Sequence, residues 1–316
     1  MSIKALALLS GGLDSLLAAK LIQNQGVKVT GLSFKSYFFN PKALSASWRI
    51  ISDFSSSHLK IVLKPKYGYG KNMNPCLDCH LLMLKEAKKI MVKNNYQFII
   101  TGEVLGQRPF SQTRHNLNLL EKESGLTGLI LRPLSAQLLP ATIPEQKGWV
   151  KREKLLSING RSRHIQLQLA KKFGLTNFSA PGTSCILTDP AYSQRLKQLI
   201  VNCPHPKAND LALLKLGRHF YFPSQARSPQ DEPGIYLIIV GRNHQENLAL
   251  KKLKQKKDIL LELKSLPGPT VLIRPYHSQS ITQPIINYAK QLLLSHSRHV
   301  SNKNRSETDF KVEKCR

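Results

Sequence analysis

An α/β domain built on a parallel sheet with helices on both faces, followed by a smaller C-terminal α+β domain, is predicted by three features of the sequence. Short apolar runs alternate with helical spacing over the first ~130 residues. The first apolar run, Ala5–Leu9, ends in Ser10-Gly11-Gly12-Leu13-Asp14-Ser15, which opens a helix. The composition then shifts to Pro and Lys around Pro204–Pro206, where a domain boundary is expected.

Taken in order, Ala5–Leu9 reads as a buried strand and Leu16–Ile22 as an Ala/Leu-rich helix. Val27–Phe34 reads as the second strand, Pro41–Phe54 as a helix and Leu59–Leu63 as the third strand. A helix over Leu77–Lys93 and a strand over Gln97–Thr101 follow. Residues 145–180 read as helical, with a basic, Gln-rich helix at Arg161–Phe173. The expected domains are 1–200 and 207–295, with residues 296–316, poor in apolar side chains, as a disordered tail. Ligands of parallel sheets sit at the carboxyl ends of strands. That rule gathers Ser10–Ser15, Ser33-Phe34 and Thr101-Gly102-Glu103 on one rim.

The Gly-Gly turn lets backbone N–H groups close around an anion without Cβ interference, and the helix N-terminus points its positive dipole end there. Ser10 and Ser15 add hydroxyl donors, and Asp14 suits a magnesium ion bridging phosphates. An ordinary Gly-Gly turn is the structural alternative. The spacing is not the Walker pattern, which needs a longer loop ending in GK[ST]. It resembles the PP-loop of the ATP pyrophosphatases, which cleave ATP between its α- and β-phosphates to adenylate a substrate.

Charge points to a polyanion. The 316 residues carry 47 Lys+Arg against 19 Asp+Glu, a net charge of +28. Residues 1–190 contribute +16 and residues 191–316 contribute +12, so the charge belongs to the whole body. A partner with a phosphate backbone follows, and a free small-molecule substrate is disfavoured. With no apolar run near ~18 residues and no secretory signal, no membrane association and a cytoplasmic location are expected.

Five cysteines need not pair in a reducing compartment. Cys76 and Cys79 form a C-x-x-C at a helix start on the phosphate-loop rim, and Cys185 sits in a loop flanked by Gly and Pro. Three thiolates from two loops can hold three irons of a cubane cluster and leave the fourth open. Zinc with His80, a redox-active dithiol, haem attachment at Cys76–His80 and a purely structural role are the alternatives. Cys203 and Cys315 have no patterned neighbours and read as incidental.

Thr101–Gln107 with Ser111-Gln112-Thr113 resembles the segment after the fourth strand of the tRNA 4-thiouridine synthetases. Gly160–Arg163 with Gln166 and Leu169-Ala170, then Cys185–Pro190, resemble the later part of the cluster-containing members. With Ser10–Ser15 and Cys76/Cys79, the likeness spans about residues 5–200. It implies ATP and Mg2+ at Ser10, Gly11, Gly12, Asp14 and Ser15, with Ser33, Phe34, Thr101, Gly102 and Gln107 beside them. It also implies a [4Fe-4S] cluster at Cys76, Cys79 and Cys185, with Asp14 and the three cysteines as the catalytic set. The expected reaction adenylates a uridine, U8 of tRNA by resemblance, and an iron-bound hydrosulfide then displaces AMP to leave 4-thiouridine. Sulfide or a sulfur-donor protein is the expected sulfur source, and a homodimer is one expected assembly. The chain departs from the full-length synthetases: what precedes Ser10 is too short for their RNA-binding domains, and it lacks a rhodanese-like extension.

The RNA is then expected on other surfaces. Gly241-Arg242-Asn243, Glu246-Asn247, Asp258 and Pro267-Gly268 are similar to the small RNA-binding module of the NFACT ribosome-associated proteins. Ile235–Asn243 reads as a strand and turn, Lys251–Asp258 as a basic helix without acidic i+4 partners, and Leu266–Ile273 as a turn into a strand. A solvated helix face is the plain alternative for these lysines. Arg161, Arg163, Arg242, Lys251, Lys252, Lys256 and Lys257 are the candidate RNA contacts. Competing functions are persulfide or dithiol thiolation, an RNA-binding factor whose ATP site is a switch, and an amidating or sulfur-carrier adenylase.

Overall fold

The computed structural model describes residues 2–40, 49–178, 185–223, 235–276, 280–299 and 309–315. The chain divides into two compact units, Met1–Pro190 and Ala191–Arg316, rather than at residues 200–207.

The first unit runs β1 (Lys4–Leu8), α1 (Leu13–Gln23), β2 (Lys28–Lys35), β3 (Arg49–Asp53), α2 (Ser55–Leu63), α3 (Cys76–Lys93), β4 (Phe98–Ile100), α4 (Arg114–Ser124), β5 (Ile130–Leu131), α5 (Ile143–Gln146) and α6 (His164–Lys172). Its strands form one parallel sheet in the order β3-β2-β1-β4-β5. Because side chains alternate along a strand, the sheet splits the core in two. Ala5, Ala7, Phe98 and Ile100 pack with α1 and α6, whereas Leu6, Leu32, Ile99 and Ile130 pack with α3 and α4. Helices therefore cover both faces, and the ends of β1, β2 and β4 meet at one edge.

The expected alternation is displaced in the middle. Of the expected Pro41–Phe54 helix, residues 41–48 lie outside the described residues, and Arg49–Asp53 is instead β3, paired in parallel with β2. The expected strand Leu59–Leu63 is the second half of α2. Its apolar run satisfies a strand pattern, but the buried set is Ser55, His58 and Val62, a helical face. Asp53 starts that helix by accepting the Ser55 amide at 3.0 Å and hydroxyl at 2.6 Å. Residues 145–163 contain only the end of α5 and short turns, so the basic helix begins at His164 and leaves Arg161 and Arg163 before it.

The second unit comprises α7 (Pro190–Asn202, starting at the boundary), α8 (Ala208–Leu213), β6 (Arg218–Pro223), β7 (Ile235–Val240), α9 (His244–Leu253), β8 (Ile259–Leu263), β9 (Val271–Tyr276), α10 (Gln283–Ser295) and β10 (Phe310–Lys314). Its sheet is antiparallel, in the order β10-β8-β9-β7-β6. Tyr236, Ile238, Leu261 and Ile273 face Ile285, Ala289 and Leu293 of α10. Arg274, 4% exposed, is balanced by Asp258 and Asp210 at 2.6 and 2.9 Å. A buried charge survives only with such partners.

Two expectations are corrected in this unit. Phe310–Lys314 is a strand on the edge of β8, because its extended backbone satisfies that edge, not part of a structureless tail. The basic helix ends at Leu253, so Lys256 and Lys257 lie in a turn, Lys257 at φ +78°.

Candidate active site

At the end of β1 the chain turns through Gly11, at φ +78°, where a side chain would be strained. Gly12 caps α1 in an extended conformation, and Ser15 Oγ donates to its carbonyl at 2.8 Å. Ser10 Oγ lies 3.3 Å from both Gly12 N and Ser15 Oγ. Gly102, after β4, presses on this helix start: a Cβ there would lie 2.5 Å from Ser15 N and 2.6 Å from the Asp14 carbonyl carbon. The first turn of α1 thus opens onto the sheet edge with free N–H groups.

Asp14 Oδ2 accepts from Gln107 Nε2 and from Arg163 Nη2, each at 3.2 Å. Asp14 Oδ1 and Arg163 Nε are buried without a hydrogen-bond partner. Orphaned buried polar atoms of this kind want a ligand or water. Arg163, expected among the RNA contacts, is thus placed in the pocket wall against Asp14, while Arg161 is exposed outside it. Ser33 does not line the pocket. Its hydroxyl donates to the Leu9 carbonyl at 2.9 Å and ties β2 to the start of the loop. Phe34, Thr101, Gly102 and Gln107 do line it.

The same pocket receives Cys76, Cys79 and Cys185. Cys76 and Cys79 occupy the first turn of α3, and Asp78 between them turns away to accept the Lys66 and Tyr67 amides at 3.0 Å. His80, one turn after Cys76, hydrogen-bonds its thiol and approaches Glu103 Oε1 with Nδ1 at 3.2 Å. Glu103 Oε2 accepts from Thr101 Oγ1 at 3.0 Å and Arg132 Nε at 2.9 Å, and Arg132 also pairs with Glu121. This row of charges sets the thiols apart. Burial pushes the Cys76 thiol up, but the charge of His80 beside it brings it down to about 6. Burial lowers His80, yet Cys76 and Glu103 raise it to about 10. Burial raises Glu103, and the Arg132 charge overrides it to about 2. Burial pushes Cys79 well up and Cys185 up to about 11. Of the three thiols Cys76 alone is drawn down, by the cation beside it, while Cys79 and Cys185 are pushed up by burial.

Arg108 in the pocket wall and Arg132, buried behind Glu103, are features that motif reading misses. Arg132, a lone charge in Ile130–Leu134, was visible only as an interruption of an apolar run.

In the second unit the expected basic residues divide. Arg242 Nη2 pairs with Glu246 at 2.5 Å and Lys251 with Glu262 at 2.7 Å. Among the described residues Lys252, Lys256 and Lys257 form no salt bridge and are exposed. Cys203 and Cys315 belong to this unit.

A parallel sheet with helices on both faces, its first strand ending in a Gly-Gly turn against a helix N-terminus, places the first unit among the parallel α/β domains. Residues 1–137 match the family described as thiamine biosynthesis protein (ThiI). The chain is 32% identical over 145 residues to the probable tRNA sulfurtransferase of Thermococcus kodakarensis, covering 42% of this chain and 36% of that protein. It is 33% identical over 146 residues to the tRNA sulfurtransferase of Desulfurococcus amylolyticus, covering 42% and 29%. The matches thus span about a third of the length of these curated relatives. Among solved structures it is similar to a 4-thiouridine synthetase–RNA complex with bound ATP, at 21% identity and TM-score 0.37 over 64% of this chain and 51% of that one. It is also similar to the U34-tRNA thiolase NcsA from Methanococcus maripaludis with its [4Fe-4S] cluster, at 16% identity and TM-score 0.30 over 67% and 69%.

Proposed function

We propose that the chain is an ATP-dependent tRNA sulfurtransferase that adenylates a uridine, U8 by its resemblance, and replaces the activated oxygen with sulfur to give 4-thiouridine. One observation carries the reading: the phosphate loop and three cysteines from two separate segments line a single pocket. The ThiI-family match and the names of the relatives agree with it.

In this reading the N–H groups of Gly11, Gly12 and the first turn of α1, with the Ser10 and Ser15 hydroxyls, bind the ATP phosphates. Asp14 fits Mg2+, because its Oδ1 is buried, lines the pocket and lacks a partner. Phe34, Thr101, Gly102 and Gln107 shape the nucleotide side, with Ser33 holding the loop from behind. Attack of a uracil oxygen on the α-phosphate converts that oxygen into part of AMP, a good leaving group, and releases pyrophosphate. Sulfide or a sulfur-donor protein supplies the sulfur.

Cys76, Cys79 and Cys185 fit a [4Fe-4S] cluster by donor chemistry, three thiols facing one cavity. When bound, the cluster would supply sulfide as a nucleophile at an open iron. Among the described residues no group of three His, Cys, Asp or Glu side chains is drawn together as a metal site. The Cys76 thiol, brought down by the His80 charge beside it, favours a second reading in which Cys76 carries sulfur as a persulfide.

Anaerobic preparations of the wild type and of C76A, C79A and C185A separate the two. On the cluster reading each variant loses most of the iron, the visible colour and thiolation, but still releases pyrophosphate with tRNA. Full thiolation by iron-free wild type with a persulfide donor sinks the cluster and leaves the Cys76 reading. Absence of tRNA-dependent pyrophosphate release by the wild type sinks both.

A further inference from the structure

Residues 106–112, between β4 and α4, form a loop pinned along its length. Gly106 adopts φ +72° and donates its N–H to the Gln112 carbonyl at 2.8 Å. Gln112 N–H donates to the Arg108 carbonyl at 3.0 Å, and the Asn116 amide donates to the Phe110 carbonyl. Leu105 N–H, just before the loop, is anchored on Ser135 Oγ at 3.0 Å. Gln107, Arg108 and Gln112 line the pocket.

Two exposed side chains on this loop have no structural employment that accounts for them. Among the described residues the Arg108 guanidinium makes no hydrogen bond or ion pair; it lines the pocket, and its charge acts on the Cys76 and Cys185 thiols, which puts it at the cysteine end. Phe110 keeps 37% of its surface exposed. One edge of its ring rests on Gly70, where a Cβ would lie 3.3 Å from Phe110 Cδ1. Gly70 N–H donates to the Asn74 carbonyl at 2.9 Å, and Asn74 is itself a pocket residue two positions before Cys76. The ring therefore bridges the two loops that frame the cysteine end and leaves over a third of its surface to solvent.

An exposed ring costs hydration free energy unless something covers it. An exposed aromatic ring and an unpaired guanidinium two residues apart on one loop match the two halves of a nucleotide, base and phosphate. The expected RNA residues Arg161, Lys252, Lys256 and Lys257 offer charge alone. We propose that the 106–112 loop receives the nucleobase: Phe110 stacks on an unstacked base of the RNA, and Arg108 meets the phosphate next to it. This rests on the RNA-thiolation reading and names how the base is presented to the pocket. Chemistry on a base requires it out of its stack, and a platform held rigid beforehand loses little freedom on binding.

The test uses full-length protein, an unmodified tRNA transcript and ATP. F110A weakens tRNA binding about tenfold, leaves its dependence on salt unchanged and leaves ATP affinity unchanged. F110W, which keeps a π face, binds as the wild type does; F110L, similar in bulk without one, binds as F110A does. R108Q instead reduces the log–log salt slope by about one unit. The proposal is overturned alone when wild-type protein binds tRNA and F110L binds equally well, when F110A loses ATP affinity in step with tRNA affinity, or when R108Q leaves the slope intact. Wild-type protein that binds no tRNA overturns the underlying reading and the proposal together.

Discussion

Asp14 shares one carboxylate oxygen between Gln107 and Arg163 and leaves the other buried without a partner. Its replacement removes the charge that a phosphate-bridging cation needs, while exposed lysines elsewhere are untouched. Asp14→Ala is therefore expected to abolish pyrophosphate release with little loss of tRNA affinity; loss of both in equal measure would assign Asp14 a structural role. Gly102 makes a sharper geometric case. A methyl group there meets backbone atoms of Asp14 and Ser15 at 2.5–2.6 Å, and backbone cannot swing aside as a side chain can. Gly102→Ala should cost about 1–3 kcal/mol of stability. It should also weaken ATP binding more than tenfold, read by thermal melting and nucleotide titration. An alanine variant with normal ATP affinity would show that α1 tolerates the shift. Neither Gly102 nor the Arg163–Asp14 pair was fully legible in the sequence. The motif names Gly102, but only packing reveals what it touches, and 149 residues separate Asp14 from Arg163.

Among the elements, α2 shows why local pattern alone misassigns a segment. Leu59–Leu63 suits either a strand or a buried helix face, and the choice was made by His58 and Val62 reaching the core side together. His58 is fully buried, with Nδ1 2.7 Å from Ser36 Oγ, its ring stacked on Phe54 at 5.2 Å and Nε2 without a partner. Burial pushes its pKa down to about 4. In the unfolded chain the same ring titrates near 6.5, so the unfolded state takes up the proton first as the pH falls. The stabilisation is whole above about pH 6.5 and is lost progressively toward pH 4, by up to roughly 3 kcal/mol. Urea midpoints at pH 7.5 and pH 5 should differ more for the wild type than for His58→Gln, after carboxylate effects common to both cancel. An equal difference would mean that the ring is solvated in the native state.

For the whole molecule, charge is the property to test. Of the four lysines between 251 and 257 that were grouped as RNA contacts, Lys251 already faces Glu262. Replacing Lys251, Lys252, Lys256 and Lys257 by Gln should flatten the salt dependence of tRNA binding by roughly three units rather than four. Lys251→Gln alone should leave the slope nearly unchanged, and a full unit lost on that single change would show the ion pair open in solution. The parallel α/β class, the Gly-Gly turn of Ser10–Ser15 opening a helix, the rim shared with Thr101–Gly102 and the placing of Cys76 and Cys79 in one helical turn were readable from residue order, because each rests on contacts between near neighbours or on strand–helix alternation. Where order carried no trace, long-range packing made the choice. It turned an apolar pentapeptide into a helix and set Arg163 against Asp14. It also buried Arg132 between two carboxylates and set His80 beside Cys76, whose thiol that charge brings down. Pairings of that kind depend on which surfaces a fold closes upon each other, and burial, which sets their strength, exists only once it has closed.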